Sequence, residues 1–135
     1  MKLFAKILNG TISCYKILED EVSLAFLDVM PRAKGHVLVI PKSPARNLLD
    51  ASPNFLAELI VRVQRVAKAA KEALECDGIT LQQFSEPAGG QEIFHLHFHV
   101  LPRWKDIPLI SSPAPRAREA ELIEIAKKIT ARMSE

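Results

Sequence analysis

The amino-acid sequence predicts a single α+β domain, and three observations predict it. Apolar segments of strand character, Tyr15 to Leu18, Val22 to Leu27 and Val37 to Ile40, come in groups that antiparallel pairing can join. One long run at helical spacing follows, with Phe55, Leu56, Leu59, Ile60, Val63, Val66, Ala67, Ala70 and Leu74 at three- and four-residue steps. The order is not the strict strand-helix alternation of a parallel sheet. At 135 residues and 48% hydrophobic composition, the chain can build one core and is short for two.

Each element has a local reason. Leu3, Phe4, Ile7 and Leu8 sit at helical spacing with Gly10 in the stop position, so a short amphipathic helix opens the chain. Glu19-Asp20-Glu21 turns the first strand into the second as a hairpin, and Asp28 falls at the second strand's end. Pro31 and Gly35 bracket a connection to Val37-Leu38-Val39-Ile40, a β-branched run of the fully buried kind that His36 opens and Pro41 stops. Ser52-Pro53 starts the long helix and Gly78 is expected to end it. Strand character returns from Ile79 to Phe84, and Glu86-Pro87-Ala88-Gly89-Gly90 reads as a loop. Past Pro102 the chain is irregular to Pro115, and Ala117 to Met133 reads as a terminal helix on which Glu124 and Lys128 can pair.

Composition narrows the function. A net charge of +2 is no field for nucleic acid, so small polar ligands are the expected partners. Cys14 and Cys76 lack ligand-like spacing and are expected to be reduced thiols. No apolar run approaches the about 20 residues of a membrane helix, and no signal-peptide core follows the start, so a cytoplasmic location is expected.

The most informative stretch is His95-Leu96-His97-Phe98-His99-Val100-Leu101, which holds three of the chain's four histidines. Its alternation predicts one β-strand, with the three imidazoles on one face and Phe94, Leu96, Phe98 and Val100 on the other. Three chemistries suit such a row. The rings could share a metal ion, although no nearby carboxylate or thiolate completes the set. They could be buried, hydrogen-bonded and inert. Or they could catalyse: a neutral imidazole attacks phosphorus when its other nitrogen donates to a fixed acceptor, and crowding of like charges keeps at least one ring neutral. His97, between two neighbours, is then the best nucleophile, and the Gly89-Gly90 loop is expected to add N–H donors. Arg32, Lys34, Lys42 and Arg46 either attract phosphate or are solvated surface. Trp104 either caps the pocket, meets a partner subunit or fills core.

These residues resemble the His-φ-His-φ-His-φ-φ signature of the histidine triad (HIT) family. Ala25-Phe26-Leu27-Asp28, Gly35-His36-Val37-Leu38-Val39-Ile40-Pro41-Lys42 and Ala88-Gly89-Gly90-Gln91 resemble their counterparts in Hint-type members, and the likeness runs from about Phe4 to Arg103. It implies a HIT-like fold of a five-stranded antiparallel sheet with one long helix and short terminal helices, assembled as a homodimer with a continuous sheet. It also implies that a nucleoside monophosphate is transferred to histidine and then to water. By the same resemblance His97 is the nucleophile, His99 contacts the α-phosphate, His95 orients the nucleophile through its carbonyl, and His36 supports the triad from a neighbouring strand. Asp28 accepts the ribose hydroxyls. Leu3, Phe4, Ile7, Phe26 and Val29 flank the base at positions that would equally be core. Ser85, Gly90 and Gln91 complete the nucleotide-binding set, with the Gln91 amide donating on the leaving side.

The activity so implied is hydrolysis of nucleoside 5′-phosphoramidates or related nucleotidyl substrates, purines favoured, with no cofactor. Dinucleoside polyphosphate hydrolysis and non-catalytic nucleotide binding are the alternatives. The chain departs from the family pattern at Phe84-Ser85, where many members carry asparagine, and at Glu92, where a small hydroxyl residue is usual. The cysteine and histidine positions that hold a structural zinc in some bacterial relatives correspond to Lys2, Ala5 and Pro44, with only His95 retained, so no metal is expected.

Overall fold

A computed structural model of the chain describes residues 3–133; Lys2 lies outside them. Five strands form one antiparallel sheet: β1 (Lys16–Glu19), β2 (Ser23–Leu27), β3 (Val37–Pro41), β4 (Gly78–Gln82) and β5 (Phe98–Arg103), in the order β1-β2-β3-β5-β4. The short helix α1 (Leu3–Leu8) precedes them, α2 (Pro53–Leu74) lies between β3 and β4, and α3 (Glu119–Met133) closes the chain. The α+β class is as the sequence predicts.

The two faces of the sheet hold different cores. On one face Val37, Val39, Leu96, Phe98 and Val100 pack with Leu59, Val63, Val66 and Ala70 of α2 and Leu122, Ile125 and Ile129 of α3. On the other, a smaller cluster of Phe4, Leu24, Phe26, Leu38 and Ile40 places α1 against β2 and β3. The histidines extend this second face.

Several boundaries differ from expectation, among them that of β4, which ends at Gln82 rather than Phe84. The long helix begins as predicted, with Ser52 Oγ accepting the Phe55 N–H at 3.2 Å, but it ends at Leu74, with Glu75 rather than Gly78 left-handed at φ 51°. The sheet captures the next residues: Asp77 N–H donates to Arg103 O at 2.9 Å and Gly78 pairs with Arg103. The last helix starts at Glu119, two positions later than Ala117, whose N–H donates to Val29 O instead. The histidine segment is not one regular strand, because the β5 ladder begins at Phe98, opposite Val39. His95, Leu96 and His97 are an irregular lead-in, held by a 2.8 Å bond from Leu96 N–H to Ala45 O.

Gly35 sets the entry to β3. Its φ is +82°, and a Cβ there would collide with the Leu74 side chain and crowd Pro102. Gly35→Ala is expected to cost about 1–3 kcal/mol, read as a lower midpoint in urea unfolding; an unchanged midpoint would show that the turn before His36 tolerates a side chain.

Candidate functional site

The site is a chain of oriented imidazoles. His36, 1% exposed, takes the Arg32 backbone N–H on Nδ1 at 3.1 Å. An amide can only donate, so Nδ1 accepts and the neutral ring carries its hydrogen on Nε2. That Nε2 lies 2.9 Å from Nδ1 of His99, which therefore accepts and leaves His99 with an outward-facing Nε2–H. His97 is oriented the opposite way. Its Nδ1 donates to His95 O at 2.7 Å, so Nε2 keeps its lone pair. His95 in turn donates from Nε2 to Pro41 O at 3.1 Å. The His97 and His99 rings are 4.9 Å apart. Among the described residues no buried side-chain nitrogen or oxygen lacks a partner, so these two unbonded Nε2 atoms face solvent. One carries a lone pair and the other is a hydrogen-bond donor.

Electrostatics keep the rings in these forms. Burial, then the nearby charges of His99 and Arg32, push His36 down to about 3. Burial, His97 and Arg32 hold His99 at about 4. Burial also lowers His97, although its bond to the His95 carbonyl favours the charged ring. Asp28 Oδ2 approaches His36 Nδ1 to 3.8 Å, but a neutral ring already bonded there is no ion-pair partner. Burial raises the Asp28 carboxyl above its usual range, and among the described residues only Oδ1 has a hydrogen-bond donor, the Met30 N–H at 2.9 Å. Its second oxygen is open to a ligand.

The apolar positions divide. Phe4 and Phe26, 1% and 4% exposed, meet edge to face in the second core, and Phe4 also sets its ring against His95 and His97. Ile7 is half-buried beside them, and Leu3 is 46% exposed. Val29 packs instead on the larger core under α2 and α3.

The loop before the histidines is built to hold its own shape. Gly89 N–H donates to Glu86 O and Gly90 N–H to Pro87 O, at 2.9 and 3.0 Å, so neither is the free donor expected for a phosphate. The Gln91 amide is fully engaged as well. Its Nε2 donates to Arg46 O and Ile93 O, and its Oε1 accepts from Asn47 Nδ2 and the Glu86 N–H. No amide hydrogen is left for a leaving group, and Gln91 is a brace between the loop and the 45–47 segment. Ser85 Oγ donates to Gln83 Oε1 at 3.1 Å. Glu92 is exposed, and Phe84 lies edge-on to His99 with Gly90 beneath its ring.

Sequence reasoning missed Asn47, which is 1% exposed and binds both Glu86 and Gln91. A lone polar residue in the loop between β3 and α2 gave no signal of its own. Among the described residues, no group of three or more His, Cys, Asp or Glu side chains is placed to hold a metal ion.

The fold and the site together define a small α+β domain of the histidine triad type. The HIT domain family model matches residues 9–106, and the chain belongs to that family. A crystal structure of a Hit-like protein involved in cell-cycle regulation from Bartonella henselae superposes with a TM-score of 0.92 at 45% identity, covering 97% of this chain and 95% of that one. An adenosine 5′-monophosphoramidase of Saccharomyces cerevisiae is 32% identical over 97% of this chain and 82% of its own length. An adenylylsulfatase of Arabidopsis thaliana is also 32% identical, over 94% of this chain and 64% of its own length.

Neutral, buried imidazoles make stability depend on pH. His36 and His99 titrate at about 3 and about 4 in the folded protein, against 6.5 for a free histidine, so between those values the unfolded chain binds more protons. Stability is therefore full above about pH 6.5 and is lost as pH falls towards 4. In His36→Gln the profile is expected to flatten by about 1 kcal/mol per pH unit between about pH 5 and 6. Urea denaturation across that range measures it, and an unaltered slope would mean that His36 is not held neutral.

Proposed function

We propose that the protein is a nucleotide hydrolase that transfers a nucleoside monophosphate from its substrate to His97 and then to water. The observation that carries this reading is the fixed Nδ1–H of His97, which leaves Nε2 as a lone pair beside the Nε2–H of His99. Membership of the HIT family, with a monophosphoramidase and an adenylylsulfatase among the relatives, supports it.

In the first half-reaction His97 Nε2 bonds to the α-phosphorus. The bond to the leaving atom breaks, and that atom takes the electron pair and a proton from solvent. The His95 carbonyl, accepting from Nδ1–H, stabilises the positive charge that develops on His97. His99 donates to a phosphoryl oxygen, where negative charge concentrates. In the second half a water oxygen displaces His97, which regains its lone pair, and the water's proton returns to solvent. The open oxygen of Asp28 suits a ribose hydroxyl, and Phe4, Ile7 and Phe26 form the apolar wall nearest the nucleophile. A nucleoside 5′-phosphoramidate is the leading substrate, with a purine base.

His97→Ala is expected to lower turnover of adenosine 5′-phosphoramidate by at least about 10³-fold. Acid-quenched wild type should carry one nucleotidyl group that the variant lacks, as seen by intact-protein mass spectrometry. Turnover that survives the substitution would sink the covalent mechanism.

A homodimer fits the open edge of the sheet. β4 is an edge strand, Leu81 on it is 46% exposed, and Ile60 and Val61 of α2 are 43% and 50% exposed. Leu81→Lys is expected to halve the mass measured by sedimentation equilibrium; a monomeric wild type would rule the pairing out.

A further inference from the structure

Between Gln82 and Phe98 the chain belongs to no strand, so the His95 carbonyl that orients His97 is placed without ladder bonds. Three contacts hold its neighbours instead. The Gln91 amide donates to Ile93 O at 3.0 Å, the Arg46 guanidinium lies 4.3 Å over the Phe94 ring, and Leu96 N–H donates to Ala45 O at 2.8 Å. All three lead back to residues 45–47, since the Gln91 amide also donates to Arg46 O at 2.7 Å. The acceptor of His97 is therefore only as well fixed as that segment.

Glu86 ties the segment to the loop. Its carboxylate accepts from Arg46 Nε and Nη2 at 2.8 and 3.0 Å and from Asn47 Nδ2 at 2.7 Å. A guanidinium bonded twice to a carboxylate fixes direction as well as distance. The Glu86 backbone holds the other end: its N–H donates to Gln91 Oε1 at 2.8 Å, and its carbonyl accepts from Gly89 N–H and Gln91 N–H. This geometry comes with φ +69°, where a side chain is strained and glycine is not. What a glutamate offers there, and a glycine lacks, is the carboxylate. Stability is a poor reason to keep it, because the Arg46 and Glu86 side chains are 50% and 43% exposed, and ion pairs so open to water contribute little. Position is the better reason.

We propose that Arg46 and Glu86 form a clasp that positions the His95 carbonyl and so keeps the hydrogen of His97 on Nδ1. Both act through the main chain of the lead-in and are positioning residues. The effect on turnover rests on the nucleotidyl-transfer reading above; the effect on the ring does not. With the clasp open, the carbonyl drifts from Nδ1, the neutral ring exchanges its hydrogen through solvent between Nδ1 and Nε2, and fewer molecules carry the lone pair on Nε2. The rate falls with that fraction. Substrate affinity, which other side chains supply, does not.

The test uses the full chain as wild type, Arg46→Met, Arg46→Lys and Glu86→Gly. Nitrogen NMR shifts of the His97 imidazole above neutral pH report which nitrogen carries the hydrogen. Wild type is expected to show Nδ1–H alone, and Arg46→Met and Glu86→Gly a mixture. In both variants kcat for adenosine 5′-phosphoramidate should fall at least about fivefold with KM unchanged within about twofold. Arg46→Lys, which keeps a charge over Phe94 but not the paired bonds, should fall between. The urea midpoint of Glu86→Gly is expected to hold, because relief of the strained φ offsets the lost ion pair. A brace that served stability alone would lower that midpoint and leave tautomer and kcat as they are, and this result would overturn the proposal. An unmixed His97 tautomer in both Arg46→Met and Glu86→Gly would overturn it too, as would a mixed tautomer with undiminished kcat. If wild type turns over no phosphoramidate, the nucleotidyl-transfer reading fails, and the imidazole shifts still decide for or against the clasp.

Discussion

Four imidazoles in contact at the border of an apolar sheet cannot all be charged, and the rest of the site follows from that constraint. A neutral ring has one nitrogen that donates and one that accepts, so a fixed partner on one side determines what the other side can do. Here the fixed partners are backbone groups: the Arg32 N–H at one end of the chain and the carbonyls of His95 and Pro41 at the other. The first gives His99 an outward hydrogen, and the second gives His97 an outward lone pair. Two chemically alike side chains two residues apart thus acquire opposite functions from the main chain around them.

Those backbone partners exist because the β ladder stops where it does. Had His95 to His97 continued the sheet, the His95 carbonyl would have a strand partner and His97 would lose its acceptor. Instead, the lead-in rests on the 45–47 segment through Ala45 O, while Asn47 and Gln91 lock the preceding loop to the same segment. Glu86 sits in that loop at φ 69°, a conformation that a non-glycine residue adopts only under constraint. Two bonds from Arg46 and one from Asn47 to its carboxylate supply the constraint. Arg46 also lies 4.3 Å over the Phe94 ring, which joins loop and lead-in a second time.

The fold class, the element order and the importance of the histidine row were legible in the sequence because each has a periodic signature. Leu96, Phe98 and Val100 do face the larger core, as alternation requires, even though only the last two lie in the ladder. What periodicity could not convey was the hydrogen-bond direction at each polar atom. Gln91 and Gly90 were recognisable as part of a phosphate-type loop, yet their donors turn inward to shape it. Asn47 was invisible because its two partners lie about forty positions downstream, at Glu86 and Gln91. Whether Lys42 and Arg46 attract phosphate or are solvated surface stays open in the sequence for the same reason: the carboxylates that pair with them are distant in the chain.

The site is also polarised from end to end. Phe4 borders His95 and His97, whereas Phe84 borders His99, so the row is bracketed by two rings of different surroundings. The carboxylate of Asp28 stands near His36, where an anionic phosphate could not approach without repulsion and without displacing the Arg32 N–H from Nδ1. An uncharged hydroxyl suits that oxygen far better. The Arg32 guanidinium belongs to the same end of the row, donating to Gln82 across the ladder from His99. Its charge bears on His36 and His99, whereas His97 sets its ring against the apolar Phe4. The row therefore runs from a charged end at His36 to an apolar end at Phe4, and the two unbonded imidazole nitrogens lie between them.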